Sequence, residues 1–306
     1  MTNLTTIRHT DNESNARDQA AKLLEGCRAN HLTAGTTATM DDMERLLTCI
    51  DHSINASLTT QEEEISFQES VRLKLGSQLV HYACEDPKVK QSTEIENRTW
   101  FYVPKKQTLQ VKVMMDRPSV QVHLILDFIS EEECAAMETA TTLERTNGTN
   151  GLWASKGGID IPWNTPDSTV LSLASKFYTY AKDQIKVIAL NGENAEQMFV
   201  LKYSGKGANA SSHDRYDPHC DGVCNGAYHK MGDRIATIMA YCDTPLLGGG
   251  THFNNAGIHI VPQKGSAIYF SYIDPVTQLT DTGFTQIAEC PVVEGSKTIV
   301  THSIRY

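Results

Sequence analysis

The chain has 306 residues, which is longer than a typical single domain, so we expect one large core with a smaller unit beside it. It carries 27 Lys and Arg against 37 Asp and Glu, a formal net charge of −10 without any basic block, and this excludes a basic nucleic-acid-binding surface. No apolar run is long enough to cross a bilayer, and the polar start MTNLTTIRHTDNESN is not that of a signal peptide, so we expect a cytoplasmic protein without a membrane span.

The first third of the chain follows helical spacing in three stretches, at about residues 16–27, 43–54 and 71–82. These stretches are amphipathic and carry no group with evident chemistry. Residues 1–112 are therefore predicted to form a helical N-terminal region. The pattern fits either an interaction module, through which the chain could form an oligomer, or a helical layer packed on the second domain.

The pattern changes at about residue 115, where apolar and polar residues alternate over 120–126 as in a strand. Ser130 and Glu133 form a capping box, which predicts a helix over 134–143, and Thr165-Pro166 predicts the start of another helix whose apolar face runs to residue 181. After residue 196 short strands alternate with turns: QMFVLKY (197–203), RIATIMAY (234–241), GIHIV (257–261), SAIYFSY (266–272) and KTIVTHSI (297–304). Residues 113–306 are therefore predicted to form an α+β domain that ends in a β-sandwich or barrel.

Eight cysteines are spread along the chain without a repeated spacing, so most are predicted to be free thiols. Six Asn-x-Ser/Thr sequons favour the alternative of the secretory pathway or endoplasmic reticulum, since such acceptors matter only in a secreted protein. That alternative requires a natural N-terminus longer than the one in this sequence.

The segment YDPHCD, residues 216–221, is the sharpest candidate site. Residues two apart on a strand project to the same face, so His219 and Asp221 can bind one metal ion while Cys220 points away. His213, His229 and Cys224 lie nearby in the sequence, but their spacing fits no structural zinc pattern.

Six segments between residues 197 and 300 resemble, in order, the catalytic domain of prolyl 4-hydroxylases: LKYSGKG, YDPHCD, GDRIATIMAY, GGGTHF, PQKGSAIYF and CPVVEGSK. Upstream, LILDFISEEEC is similar to the strand and helix that open that domain. The resemblance implies a double-stranded β-helix, or jelly-roll, that binds Fe(II) through two histidines and one carboxylate. It also implies 2-oxoglutarate as cosubstrate, ascorbate as the reductant that rescues the iron, and a peptide or protein substrate.

The resemblance also assigns roles to single residues. His219 and Asp221 match two of the iron ligands. Lys297 and Tyr203 match the residues that hold the far carboxylate of 2-oxoglutarate, and Thr251 matches a residue of the same pocket. For the substrate groove the matching residues are Arg234 and Tyr216; an ordinary charge at a strand end is the alternative for Arg234.

One iron ligand is missing. The family writes the segment of its second histidine as H-x-x-C-P-V, and this chain has Ile287 at that position. Strand alternation turns the nearest substitutes, Gln286, His252 and His302, to the opposite face. Two hypotheses remain: a dioxygenase that hydroxylates a peptidyl substrate, in the family a proline, and a catalytically impaired barrel that acts as a binding or regulatory subunit.

Overall fold

The computed structural model describes residues 83–146, 158–162, 165–185 and 195–306, together with a few positions between 22 and 49. Contacts divide the chain into two compact units, Met1–Tyr82 and Ala83–Tyr306. The three predicted N-terminal helices lie largely outside the described residues. The few described positions of the first unit are helical, and a disulfide joins Cys27 to Cys49 there.

An antiparallel sheet of eight strands forms the centre of the second unit. Its spatial order is β1 (Glu96–Tyr102), β2 (Gln107–Arg117), β3 (Val120–Ile125), β11 (Ala267–Ser271), β7 (Arg234–Asp243), β14 (Ser296–Arg305), β5 (Met198–Ser204) and β4 (Ile159–Ile161). A 3-10 helix, Val103–Lys105, separates β1 from β2. The first strand and the first half of the second fall within the segment 1–112 that was predicted to be helical. The second unit begins at Ala83 and includes both of these strands.

A smaller antiparallel sheet packs against one face of the large sheet. Its order is β10 (Ile258–Ile260), β9 (Thr251–Phe253), β12 (Ile287–Glu289) and β6 (Tyr216–His219), and β8 (Leu247–Gly248) pairs separately with β13 (Val292–Glu294). Buried apolar side chains from both sheets fill the space between them, among them Phe253, Ile260 and Ile287 from the small sheet. The second unit is thus mostly β-sheet, with a two-layer core.

Two helices, α1 (Glu131–Thr146) and α2 (Ser168–Gln184), cover the opposite face of the large sheet. The predicted capping box is confirmed: the Ser130 amide donates to the Glu133 carboxylate at 2.8 Å, and the Glu133 amide donates to the Ser130 hydroxyl at 3.1 Å. The second helix begins after Asp167, whose carboxylate accepts from two backbone amides of the first turn. Its predicted apolar face is buried, as shown by Val170, Leu173, Ala174, Phe177 and Ala181.

All eight cysteines are paired, so the prediction of free thiols was wrong. Besides the pair in the first unit, the second unit contains Cys84–Cys290, Cys134–Cys242 and Cys220–Cys224. Two of these pairs join cysteines 206 and 108 residues apart, and spacing along the sequence does not reveal such partners. None of the helices in the described part of the chain is both long enough and apolar enough to span a membrane.

Candidate active site

His219 and Asp221 meet at one end of β6. His219 is the last residue of the strand, and Asp221 lies in the following turn, which the disulfide between Cys220 and Cys224 closes. The Nε2 atom of His219 is 3.3 Å from Oδ1 of Asp221, and the two side chains are 26% and 17% exposed. The imidazole and the carboxylate therefore converge in a partly shielded place, as a pair of metal ligands would.

Hydrogen bonds fix the tautomer of this imidazole. Nδ1 of His219 lies 2.8 Å from the carbonyl oxygen of Asp217, and since a carbonyl can only accept, Nδ1 carries the proton. Nε2 then faces Asp221 with its lone pair when the ring is neutral. Burial is the largest single effect and lowers the pKa of His219, but the hydrogen bonds to Asp221 and Asp217 and the negative charges of Asp221 and Glu289 together outweigh it, so the net shift is upward.

A cavity of about 190 Å³ opens beside these two side chains. Its walls come from β5, β6, β7, β12 and β14. Polar and charged groups line it together with apolar ones, among them Tyr203, Tyr216, His219, Asp221, Arg234, Ile287 and Glu289. Both the predicted metal ligands and most of the other predicted site residues thus share one cavity.

Ile287 lies directly opposite His219. In the pairing of β12 with β6 the two residues are partners, and the Ile287 side chain is buried in the core between the two sheets. An alkyl group has no lone pair, so the position that faces the imidazole cannot supply a ligand. Within the described residues, no group of three or more His, Cys, Asp or Glu side chains is placed to hold a metal ion.

The possible substitutes for the missing histidine point elsewhere. The Gln286 side chain accepts a hydrogen bond of 3.2 Å from Asn254. The ring of His252 packs 5.7 Å from that of His259, on the far side of the small sheet from His219. His302 packs against α2, on the helix-covered face of the large sheet. None of the three lines the cavity. For His252 and His302 strand alternation is the reason, whereas Gln286 lies in the turn before β12.

Lys297 is completely buried and is paired with Glu289. Its ammonium group donates to the Glu289 carboxylate and, at 2.6 Å, to the carbonyl oxygen of Gly249. The Thr251 hydroxyl lies 2.8 and 3.0 Å from the two Glu289 oxygens and donates to them. Tyr241 in turn donates to Thr251 over 2.7 Å. Three buried side chains, Lys297, Thr251 and Tyr241, thus form a network around one carboxylate that the chain itself supplies.

Tyr203 lies beside this network. It is the cross-strand partner of Lys297, and its ring centroid is 5.5 Å from the ammonium nitrogen. Its hydroxyl is buried and has no hydrogen-bond partner among the described residues. Burial raises the pKa of Tyr203, and the negative charge of Glu289 adds to the shift.

The three predicted cosubstrate residues, Lys297, Thr251 and Tyr203, are therefore brought together, but around an internal carboxylate. The sequence reasoning gave no role to Glu289 or to Tyr241. Glu289 follows Ile287 by two residues on the same strand, so its inward orientation could have been inferred from alternation.

Arg234 is engaged within the protein. Its guanidinium group forms two hydrogen bonds to the Glu196 carboxylate, at 2.5 and 2.6 Å, and a third of 3.0 Å to the carbonyl oxygen of Asp221. Glu196 also pairs with Arg305 at 2.6 Å. Arg234 thus anchors the turn that carries Asp221. Tyr216, the other predicted substrate residue, packs its ring 3.9 Å from that of His219.

Iron and 2-oxoglutarate do not fit these residues as they are arranged. A facial triad requires three protein ligands, and the cavity presents one imidazole and one carboxylate where the second imidazole is replaced by Ile287. A dicarboxylate requires a free cation, and the only charge at the expected position, Lys297, is already neutralised by Glu289. The tautomer of His219 suits a metal, but the rest of the donor set does not.

No family model matches the chain. It is 28% identical over 203 residues to prolyl 4-hydroxylase subunit alpha-1 of Caenorhabditis elegans, covering 61% of this chain and 33% of that protein. It is 29% identical over 166 residues to probable prolyl 4-hydroxylase 6 of Arabidopsis thaliana, covering 45% of this chain and 54% of that protein.

Among solved structures, a viral collagen prolyl hydroxylase from Paramecium bursaria Chlorella virus-1 is 26% identical, with a TM-score of 0.47, over 60% of this chain and 89% of that one. The first three curated relatives are matched over only 19% to 54% of their lengths. These sequence matches, and the segments they share, support the assignment of the chain to a prolyl 4-hydroxylase-like family of 2-oxoglutarate oxygenases.

Proposed function

We propose that the second unit is a double-stranded β-helix of prolyl 4-hydroxylase type that has lost Fe(II)- and 2-oxoglutarate-dependent hydroxylation and serves as a polypeptide-binding or regulatory subunit. The observation that carries this proposal is Ile287 opposite His219. Changes outside the ligand set of a metal site often cost 10–100-fold in metal affinity or activity, and the loss of a ligand costs at least as much. Catalysis can therefore be lost while the fold persists.

The mouth of the cavity supports a binding role. The packed rings of Tyr216 and His219 offer an aromatic face, and Arg234 with Glu196 forms a charged wall beside it. Aromatic grooves of this kind suit a proline-rich segment, because its extended helix is already ordered before it binds. The names of the matched relatives point to the same class of partner.

The second candidate is an active dioxygenase that hydroxylates a peptidyl proline with Fe(II), 2-oxoglutarate and ascorbate. The convergence of His219 and Asp221, with Nε2 of the imidazole free of the backbone, favours it. These two side chains would hold the metal. Glu289 would first have to leave Lys297, because the cosubstrate needs the same ammonium group.

Anaerobic titration with Fe(II) separates the two candidates. We expect the wild-type protein to bind iron weakly in this titration and, in a separate incubation with Fe(II), 2-oxoglutarate and O2, to form no succinate. Ile287→His should bind Fe(II) at least about 10-fold more tightly, since it restores an imidazole opposite His219. The double variant Ile287→His/His219→Ala is the matched control and should lose that gain. One tightly bound iron per wild-type chain, with succinate formation, would show that the chain is an enzyme.

The binding role has its own test. A labelled synthetic proline-rich peptide should bind the wild-type protein by fluorescence anisotropy, and a metal chelator should not change its affinity. Tyr216→Ala should weaken binding by about 10-fold, within the range of an aromatic interface residue. Tyr228→Ala, an exposed aromatic outside the cavity lining, is the control and should leave the affinity unchanged. A wild-type protein that does not bind the peptide contradicts the binding role.

We also propose that the protein works in an oxidising compartment, in preference to the cytoplasm. Four disulfides involve all eight cysteines, and such pairing persists in the secretory pathway but is rare in the cytosol. The six sequons agree with this placement. Mass spectrometry of the unreduced protein from its natural source should find the four bonds and no alkylated thiols; free thiols at these positions would favour the cytoplasm.

A further inference from the structure

We infer that Glu289 is a built-in ligand: its carboxylate occupies a carboxylate-binding niche formed by Lys297, Thr251 and Tyr203, and so closes the cavity to external carboxylates, including 2-oxoglutarate. The inference takes the barrel type from the proposed function but does not depend on the loss of iron. The question is which anion neutralises the buried ammonium group of Lys297.

Lys297 and Glu289 form an ion pair that is shielded from water. Lys297 is 0% exposed and Glu289 is 3% exposed, so neither charge is solvated by water. An unpaired ammonium in such a place would cost several kcal/mol, and it therefore demands an anion. In this chain β12 delivers that anion directly, since Glu289 is the cross-strand partner of Thr251 and reaches the ammonium from there.

The residues that line the cavity show where the Glu289 carboxylate lies relative to the open space. Glu289 and Tyr203 line the cavity, whereas Lys297 and Thr251 do not reach it. Glu289 therefore stands between the open space and the ammonium group. Removal of its side chain beyond Cβ would connect the cavity with the niche.

The Tyr203 hydroxyl is a hydrogen-bond donor that Glu289 does not use. It is buried at the border of the cavity without a hydrogen-bond partner among the residues that the structure describes, although Glu289 lies close by. A carboxylate can accept about four hydrogen bonds. Tethered to β12, Glu289 uses Lys297 and Thr251 and leaves Tyr203 without an acceptor. The niche thus has more donors than its internal ligand engages, and a free carboxylate entering from the cavity could engage all of them.

The test is replacement of the internal carboxylate by an external one. Glu289→Ala should lower the Tm, and acetate, propionate or 2-oxoglutarate should raise it again in a concentration-dependent way, whereas chloride at equal ionic strength should not. Calorimetry should give at least a 10-fold higher affinity for these carboxylates than in the wild-type protein. Glu289→Gln is the matched control: it fills the same volume, so the carboxylates should have no effect on it. Glu289→Ala/Lys297→Met should also lose the response.

Other outcomes would overturn the inference. It fails if wild-type protein binds 2-oxoglutarate as tightly as Glu289→Ala, or if the carboxylates act no better than chloride. It also fails if Glu289→Ala abolishes an Fe(II) affinity that the wild-type protein has, since Glu289 would then be a metal ligand. Should Glu289→Ala not fold, Glu289→Asp, which withdraws the carboxylate by one methylene, must show a weaker response of the same kind. The carboxylate measurements use neither iron nor peptide binding, so their failure is distinguishable from failure of the proposed function.

Discussion

Replacement of Lys297 by methionine tests the buried ion pair most directly. Methionine has nearly the length of lysine, so the change removes the charge without opening a large cavity. Glu289 is then left as a buried carboxylate whose one remaining side-chain donor is Thr251. The pair is shielded from water, so solvent does not screen the attraction between its charges. Breaking such a pair by removing one partner costs about 3–5 kcal/mol.

This loss should be visible in thermal unfolding. For a domain of this size each kcal/mol lowers the Tm by roughly 2–4 °C, so we expect a decrease of about 6–20 °C. Urea unfolding followed by circular dichroism gives the free energy itself. The double variant Lys297→Met/Glu289→Gln should recover most of the loss, since it removes both charges and keeps the volume.

An exposed pair in the same unit provides the control. Lys264 lies 2.9 Å from Glu131, and these side chains are 54% and 85% exposed. Lys264→Met should therefore change the free energy of unfolding by less than about 1 kcal/mol. If Lys297→Met is as mild as Lys264→Met, the ammonium is not desolvated, and the account of the niche is wrong.

Three further predictions concern the framework of the site. Burial lowers the pKa of His123 to about 4 and that of His252 to about 3, against about 6.5 in the unfolded chain. The unfolded chain then binds more protons, so the free energy of unfolding in urea should decrease by about 1–3 kcal/mol per histidine as the pH falls from 6.5 towards 4. His123→Phe should make this pH dependence less steep, and a stability that does not change with pH contradicts the assignment. Cys134→Ser/Cys242→Ser should cost about 2–5 kcal/mol by calorimetry, because that bond closes a loop across 108 residues, and unchanged stability would argue against it. Arg234→Lys, which cannot make the two parallel bonds to its carboxylate, should speed amide hydrogen exchange in the turn after β6, and equal exchange would remove its anchoring role.

The strands of the large sheet that are buried along most of their length could be predicted from the sequence. RIATIMAY, SAIYFSY and KTIVTHSI correspond to β7, β11 and β14, which are covered by the helices on one face and by the small sheet on the other. In contrast, β1 and β2 were missed. Their buried residues, such as Trp100 and Leu109, alternate with Thr, Gln and Lys in a polar stretch, and no turn signal of Gly or Asn separates them. The disulfides were missed because their partners meet only in the folded chain.

The same distinction applies to the site. His219 and Asp221 are close in the chain, so local geometry sufficed to predict their convergence. Lys297, Thr251 and Tyr203 come from three strands and were grouped only by resemblance to a family. Glu289 has a role only because the register of β12 against β9 sets it opposite Thr251, and register is a property of the whole sheet.

Ile287 and Glu289 of β12 have a common explanation. Ile287 and Glu289 are two positions apart, so they project into the same interior. Under the proposed function, the first stands where a metal ligand would be, and the second where the carboxylate of a cosubstrate would bind. An isoleucine there is stable in an apolar core that holds no ion, and a buried glutamate is stable only if Lys297 is not needed by anything else. A site that regularly received a dicarboxylate would gain nothing from Glu289, because the two would compete for one ammonium. Both residues of β12 therefore agree with the proposed loss of catalysis. Ile287 fills apolar space in the core, and Glu289 neutralises Lys297, so the fold needs neither iron nor cosubstrate to be stable.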